Sequence, residues 1–179
     1  MCGIIGIFNH PEASTKIKTA LALLHNRGKD GSGIATEKEV YTAQNNIDLP
    51  DVQSNNLIGH TLHAVVNHVP QPIKKIGLLS ANCEIYNWKE LVEKYHLDAQ
   101  NDAHLLLQFL DKFGIEKLSE LDGVYAFAYW KKDTIIIARD ILGEKPLWFT
   151  HTENSFAFAS EKKVLEKIEF SNVQELIRR

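Results

Sequence analysis

The sequence predicts an α+β or layered α/β domain whose sheets are covered by helices. Three observations lead there. Strand-like segments outnumber helical ones, and the few helical segments fall in two groups, one near residue 20 and one between residues 87 and 110. The stretch from Val124 to Trp130 (V-Y-A-F-A-Y-W) alternates large with small side chains, as one face of a packed sheet requires. A chain of 179 residues with 44% hydrophobic and 24% charged residues is long enough to bury a substantial core, and we read residues 1–179 as one domain.

Gly3 to Phe8 reads as a buried strand closed by Asn9-His10-Pro11. Ser14 or Thr15 can cap a helix whose apolar stripe is Ile17, Leu21 and Leu24, with Gly28 suited to the position just past its end. Gly31–Thr36 and Val40–Gln44 are short strands, and residues 44–56 are polar and loop-like. Extended segments follow at Leu57–Val69 and Ile76–Glu84. Asn87 and Glu90 form a capping-box pattern for a helix to about Tyr95, and Asn101 opens another through Phe109, ended by Gly114. Strands are expected at Val124–Trp130, Thr134–Arg139, Leu147–Thr152 and Phe156–Ser160. The charged stretch Glu161–Arg179 reads as a terminal helix or a linker.

The bulk properties exclude several classes. A net charge of −3 carries no electrostatic signature of a nucleic-acid or membrane-surface binder. No stretch approaches the ~18 apolar residues of a membrane span, and the first residues lack the basic start of a secretory signal. With Cys2 and Cys83 alone there is no disulfide framework and no zinc-type spacing. No metal or other cofactor is expected, and a reducing cytoplasmic setting is. The run G-K-D-G-S-G at 28–33 lacks the context and the final K-[ST] of a phosphate loop.

The position of Cys2, directly behind Met1, is the feature that demands a reason. It can be a small apolar residue at the start of a buried strand. Freed of Met1, it would instead carry a thiol and an α-amine on one residue.

Five stretches in order decide between these: MCGIIGIF at the start, HNRGKDGSGIAT at 25–36, IGHT at 58–61, NCEIYN at 82–87, and LDGVYAFAYW with ARDILGEKPLWF and FASEKKVL across 121–165. Together they resemble the class II glutamine amidotransferases, members of the N-terminal nucleophile hydrolases, and most of all the glutaminase half of asparagine synthetase. The resemblance implies a four-layer α/β/β/α sandwich of two mostly antiparallel sheets. It implies hydrolysis of L-glutamine to L-glutamate and ammonia through a Cys2 thioester, after loss of Met1, and delivery of the ammonia to a synthetase domain or subunit. It assigns oxyanion donors to Asn82 and the backbone of position 83, where this chain has Cys83 instead of the family's Gly. Asp102 takes the substrate's α-amino group and Glu84 lies in the motif lining the pocket. Arg27 and Gly28 belong to the loop that holds the N-terminal residue and shapes the pocket. The family arginine that receives the α-carboxylate is replaced by Leu62, in G-H-T-L-H. If position 83 requires a positive φ, Cys83 is strained. His63, next to Leu62, points to the opposite face if the segment stays extended. His60 and His63 otherwise read as polar strand residues, and Glu144 and Lys145 as a solvated turn. Two further readings stay open: a catalytically weak or inactive binding or regulatory subunit of a synthetase, and an amidohydrolase for a different amide, which Leu62 would suit.

Overall fold

A computed structural model describes residues 1–65 and 67–177. Its strands form two sheets in which every adjacent pair is antiparallel. The larger contains β1 (Gly3–Phe8), β2 (Gly31–Ala35), β3 (Val40–Ala43), β4 (Leu57–Leu62), β9 (Trp148–His151), β10 (Phe156–Ala159) and β11 (Gln174–Glu175), in the order β11-β9-β10-β1-β4-β2-β3. The smaller is β5 (Ile73–Lys74), β6 (Leu78–Ile85), β7 (Gly123–Lys131) and β8 (Thr134–Arg139), in chain order.

Alternation along β1 builds the layers. Ile5 and Ile7 point outward to helix α1 (Ala13–Leu23) and helix α4 (Lys162–Lys167), where Ile17, Leu21, Val164 and Leu165 are buried with them. Ile4 and Phe8 point inward, to Ile58 and Phe158 of their own sheet and to Leu78, Ala126, Ala128 and Trp130 of the other. The alternating small residues of β7 thus face the sheet–sheet seam, while Phe127 and Tyr129 face helices α2 (Trp88–Tyr95) and α3 (Asp102–Phe113). The result is the expected α/β/β/α sandwich. Gly6 is required by the seam: a Cβ there would lie 2.2 Å from the Phe158 ring.

Local expectations and outcome differ where side chains found distant partners. Asn101 caps α3, its Oδ1 accepting from His104 N at 2.9 Å. Asn87 precedes α2 but gives it no side-chain cap; its amide instead bonds Glu120 O and Asp122 N, at 2.8 and 3.0 Å. Ser14 and Thr15 lie inside α1, which follows Glu12 with no side-chain cap, and Ser14 Oγ bonds Val52 O at 2.5 Å. The helix ends at Leu23 with Leu24 as its cap, so Gly28 is not the helix stop. The extended segment predicted from Leu57 closes at Leu62, where β2 stops pairing with it; its position 66 lies outside the described residues. The stretch from Glu161 is no linker within the described residues. It docks Val164, Leu165, Ile168 and Phe170 into the outer core and adds β11 to the sheet, and residues 178–179 lie outside the description.

Candidate active site

The site forms where β1 of one sheet faces β6 of the other. Cys2 directly precedes β1 and shares the inward side of Ile4. Its backbone nitrogen donates to Asn82 Oδ1 on β6 at 3.1 Å. That bond fixes how the Asn82 amide is turned, and it leaves Nδ2 buried with no protein partner. Arg27 Nε donates to Cys2 O at 3.0 Å, while its Nη1 lies 3.4 Å from Glu161 Oε1. Neither Arg27 nor Gly28 lines the cavity described below. Gly28 serves a close approach instead: a Cβ there would meet Leu62 C and O at 2.5 Å.

The Cys2 sulfur sits against the backbone of His63, accepting from its N at 3.3 Å and 3.7 Å from its carbonyl oxygen. Burial pushes the thiol's pKa up. The His63 backbone bond, the N-terminal charge and Arg27 oppose this, and Asp102 adds to it. A buried neutral thiol next to a cavity needs a base to become a nucleophile.

One free edge of β6 provides the rest. β5 covers β6 only at Leu78 and Leu79. Beyond it, Ala81 N donates to Gln71 Oε1 at 2.8 Å and Ile85 N to Asp102 Oδ2 at 3.1 Å. With a two-residue period, the Cys83 N–H projects from the same edge, between those two. Cys83 has no positive φ, so the replacement of glycine sits in ordinary extended backbone without strain. Its side chain packs on the helix-facing side of the small sheet, and burial drives its thiol well above the usual range.

A cavity of about 310 Å³ opens here, lined among others by Cys2, Leu62, His63, Asn82, Glu84 and Asp102. Asp102 is held by Ile85 N and by Ala103 N, the latter at 2.9 Å to Oδ1. Burial raises its pKa despite these bonds. Glu84 reaches the cavity wall, but its carboxylate pairs with Lys145 Nζ. Lys145 is therefore no solvated turn residue, its side chain being only 8% exposed. Leu62 is buried on the inward side of β4 beside Cys2.

Sequence reasoning missed Gln71 and His60 as parts of this scaffold. Gln71 brackets Ala81 from both sides, its Nε2 donating to Ala81 O at 3.1 Å. His60 is fully buried between the sheets with Nε2 3.0 Å from Ala81 O, so it donates there as a neutral imidazole. A histidine one residue from an apolar strand position was the only signal for it.

The layering is that of the N-terminal nucleophile hydrolase fold. The chain belongs to the glutamine amidotransferase domain family, whose model matches residues 1–176. It is 30% identical to the glutamine-hydrolysing asparagine synthetase 1 of Bacillus subtilis, over 92% of this chain and 26% of that protein. It is likewise 30% identical to asparagine synthetase B of Escherichia coli, also glutamine-hydrolysing, over 92% of this chain and 30% of that one. Among solved structures it matches the glutamine phosphoribosylpyrophosphate amidotransferase of B. subtilis with a TM-score of 0.80 and 24% identity, over 98% of this chain and 44% of that chain. The chain thus spans less than a third of each of these two curated relatives. Among the described residues, no helix is long and apolar enough to cross a membrane.

Proposed function

We propose that this domain hydrolyses L-glutamine to L-glutamate and ammonia, with Cys2 as nucleophile and its own α-amine as base. The observation that carries the reading is the Cys2–Asn82 pair: Cys2 N donates to Asn82 Oδ1, and Asn82 Nδ2 is buried at the cavity without a partner. A buried donor costs about 1–3 kcal/mol if left unmet. It is accounted for if an oxyanion is its partner in the reaction.

The steps follow from this geometry. Met1 is 55% exposed, and its removal turns the Cys2 amide nitrogen into an α-amine, with a reference pKa of about 7.7–8.0. The amine takes the thiol proton as sulfur attacks the side-chain amide carbon. Negative charge gathers on the former carbonyl oxygen, where Asn82 Nδ2 and the Cys83 N–H stabilise it. The C–N bond breaks and ammonia leaves with the proton from the amine. Water then attacks the thioester, the C–S bond breaks, and glutamate and the thiol are restored. Asp102 receives the substrate's α-ammonium, and Arg27 holds the Cys2 carbonyl so that sulfur and amine keep their place. Glu84, paired with Lys145, shapes the wall of the pocket.

The ammonia goes to a synthetase domain or subunit, a reading supported by the relatives' greater length. Both cysteines are free, which suits a reducing cytoplasm. A second reading, a binding or regulatory subunit or an amidase for another amide, draws on one observation: among the described residues, no Lys or Arg lines the cavity.

The test is ammonia and glutamate release from glutamine by protein lacking Met1. We expect equal amounts of both products, no activity in Cys2→Ala, and a loss in kcat of about 10²–10³ in Asn82→Ala. Processed protein that releases no more glutamate than Cys2→Ala contradicts the proposal and supports the binding-subunit reading.

A further inference from the structure

A ligand with both an ammonium and a carboxylate needs an anion and a cation in its pocket, because a charge taken out of water must be paired. The cavity supplies the anion in Asp102. Leu62 contributes only an apolar wall beside Cys2. His63 follows it, directly after the last residue of β4. His63 is one of the residues lining the cavity, and its side chain is half exposed.

The placement is anchored on two sides. The His63 backbone brackets the Cys2 sulfur. Its Nδ1 lies 3.7 Å from Asp30 Oδ2, and that carboxylate is itself held by Ala64 N at 2.8 Å. Asp30 is held further by His68, whose Nε2 lies 2.7 Å from Asp30 O. Among the described residues, the other ionisable groups around the cavity are the thiols of Cys2 and Cys83, the carboxylates of Asp102 and Glu84, the phenol of Tyr86 and the amine at the start of the chain. Among the described side chains that line the cavity, histidine is the one that can carry a positive charge, and Asp30 stands beside it as a counter-ion.

Resting on the glutaminase reading, we infer that protonated His63 is the cation that receives the α-carboxylate of the substrate. Leu62 leaves the space, and His63 with Asp30 provides the charge from the adjacent position.

The test compares L-glutamine with 4-aminobutanamide, which has the same side-chain amide and amine but no carboxylate. Steady-state constants are measured for the processed protein and for His63→Ala, His63→Gln and His63→Arg, with thermal unfolding to confirm that each folds. Direct binding of both compounds to Cys2→Ala and to the Cys2→Ala/His63→Ala double variant gives a readout independent of turnover. We expect His63→Ala and His63→Gln to raise KM for glutamine about tenfold or more, with kcat and the constants for 4-aminobutanamide little changed. His63→Arg should keep most of the affinity for glutamine. An equal loss for both compounds, or no loss for either, overturns the inference while leaving the glutaminase reading intact. A processed wild-type protein that neither binds nor hydrolyses glutamine overturns both.

Discussion

At the residue scale, the site depends on a few side chains whose partners lie far away in sequence. His60 shows the consequence. Burial lowers its pKa to about 4, against about 6.5 in an unfolded chain. As pH falls, the unfolded chain takes up the proton first. Stability is therefore full above about pH 6.5 and declines toward pH 4, by at most on the order of 3 kcal/mol from this group. Thermal unfolding across pH 4–7 should show this decline, and His60→Gln should flatten it; parallel curves for the two proteins would contradict the assignment. The same scale explains what was legible beforehand. Cys2, Asn82 and Asp102 could be named because each sits in a short local pattern, and the cavity places all three on its wall. Lys145 could not be read correctly, because Glu84, the partner that removes it from solvent, lies 61 positions away.

At the element scale, the strands and main helices were legible where a period was sustained over many residues, as in β1, β7 and α3. The two-residue strands β5 and β11 were not, since two residues carry no period. Caps were legible only when the side chain stayed local. Asn101 bonds its own helix, whereas Ser14 and Asn87 fasten separate loops. The same contest decides Gly28. Its place in the chain suggested a helix stop, and its role is to let the loop press against the end of β4. Gly28→Ala would drive a methyl group into the Leu62 backbone, which cannot yield as a side chain would. We expect a cost of about 1–3 kcal/mol and a higher KM for glutamine, because Leu62 and His63 shift with that strand end. Unchanged stability in chemical denaturation would show that the loop relaxes freely.

At the scale of the whole molecule, the proposed nucleophile comes from one sheet and the proposed oxyanion donors from the other, so the proposed activity depends on how the sheets hold together. The apolar seam does most of this, and Arg139 adds a polar clamp at one end. From β8 of the small sheet, its Nη1 reaches Glu175 Oε1 and Leu176 O, both at 2.8 Å, next to β11 of the large sheet. Arg139→Met keeps the apolar stem and loses the clamp. We expect a loss of about 2 kcal/mol, a Tm lower by roughly 4–8 °C, and faster proteolysis of the last residues. An unchanged Tm would mean that the seam alone sets the sheet pairing.

The most direct measurement is the intact mass of the protein before glutamine is added and after an acid quench during turnover. The account predicts a chain lacking Met1 that gains a single glutamyl group, mapped to the sulfur of Cys2 and absent from Cys2→Ala. Turnover by a chain that still carries Met1, or a glutamyl group found on any other residue, would contradict it.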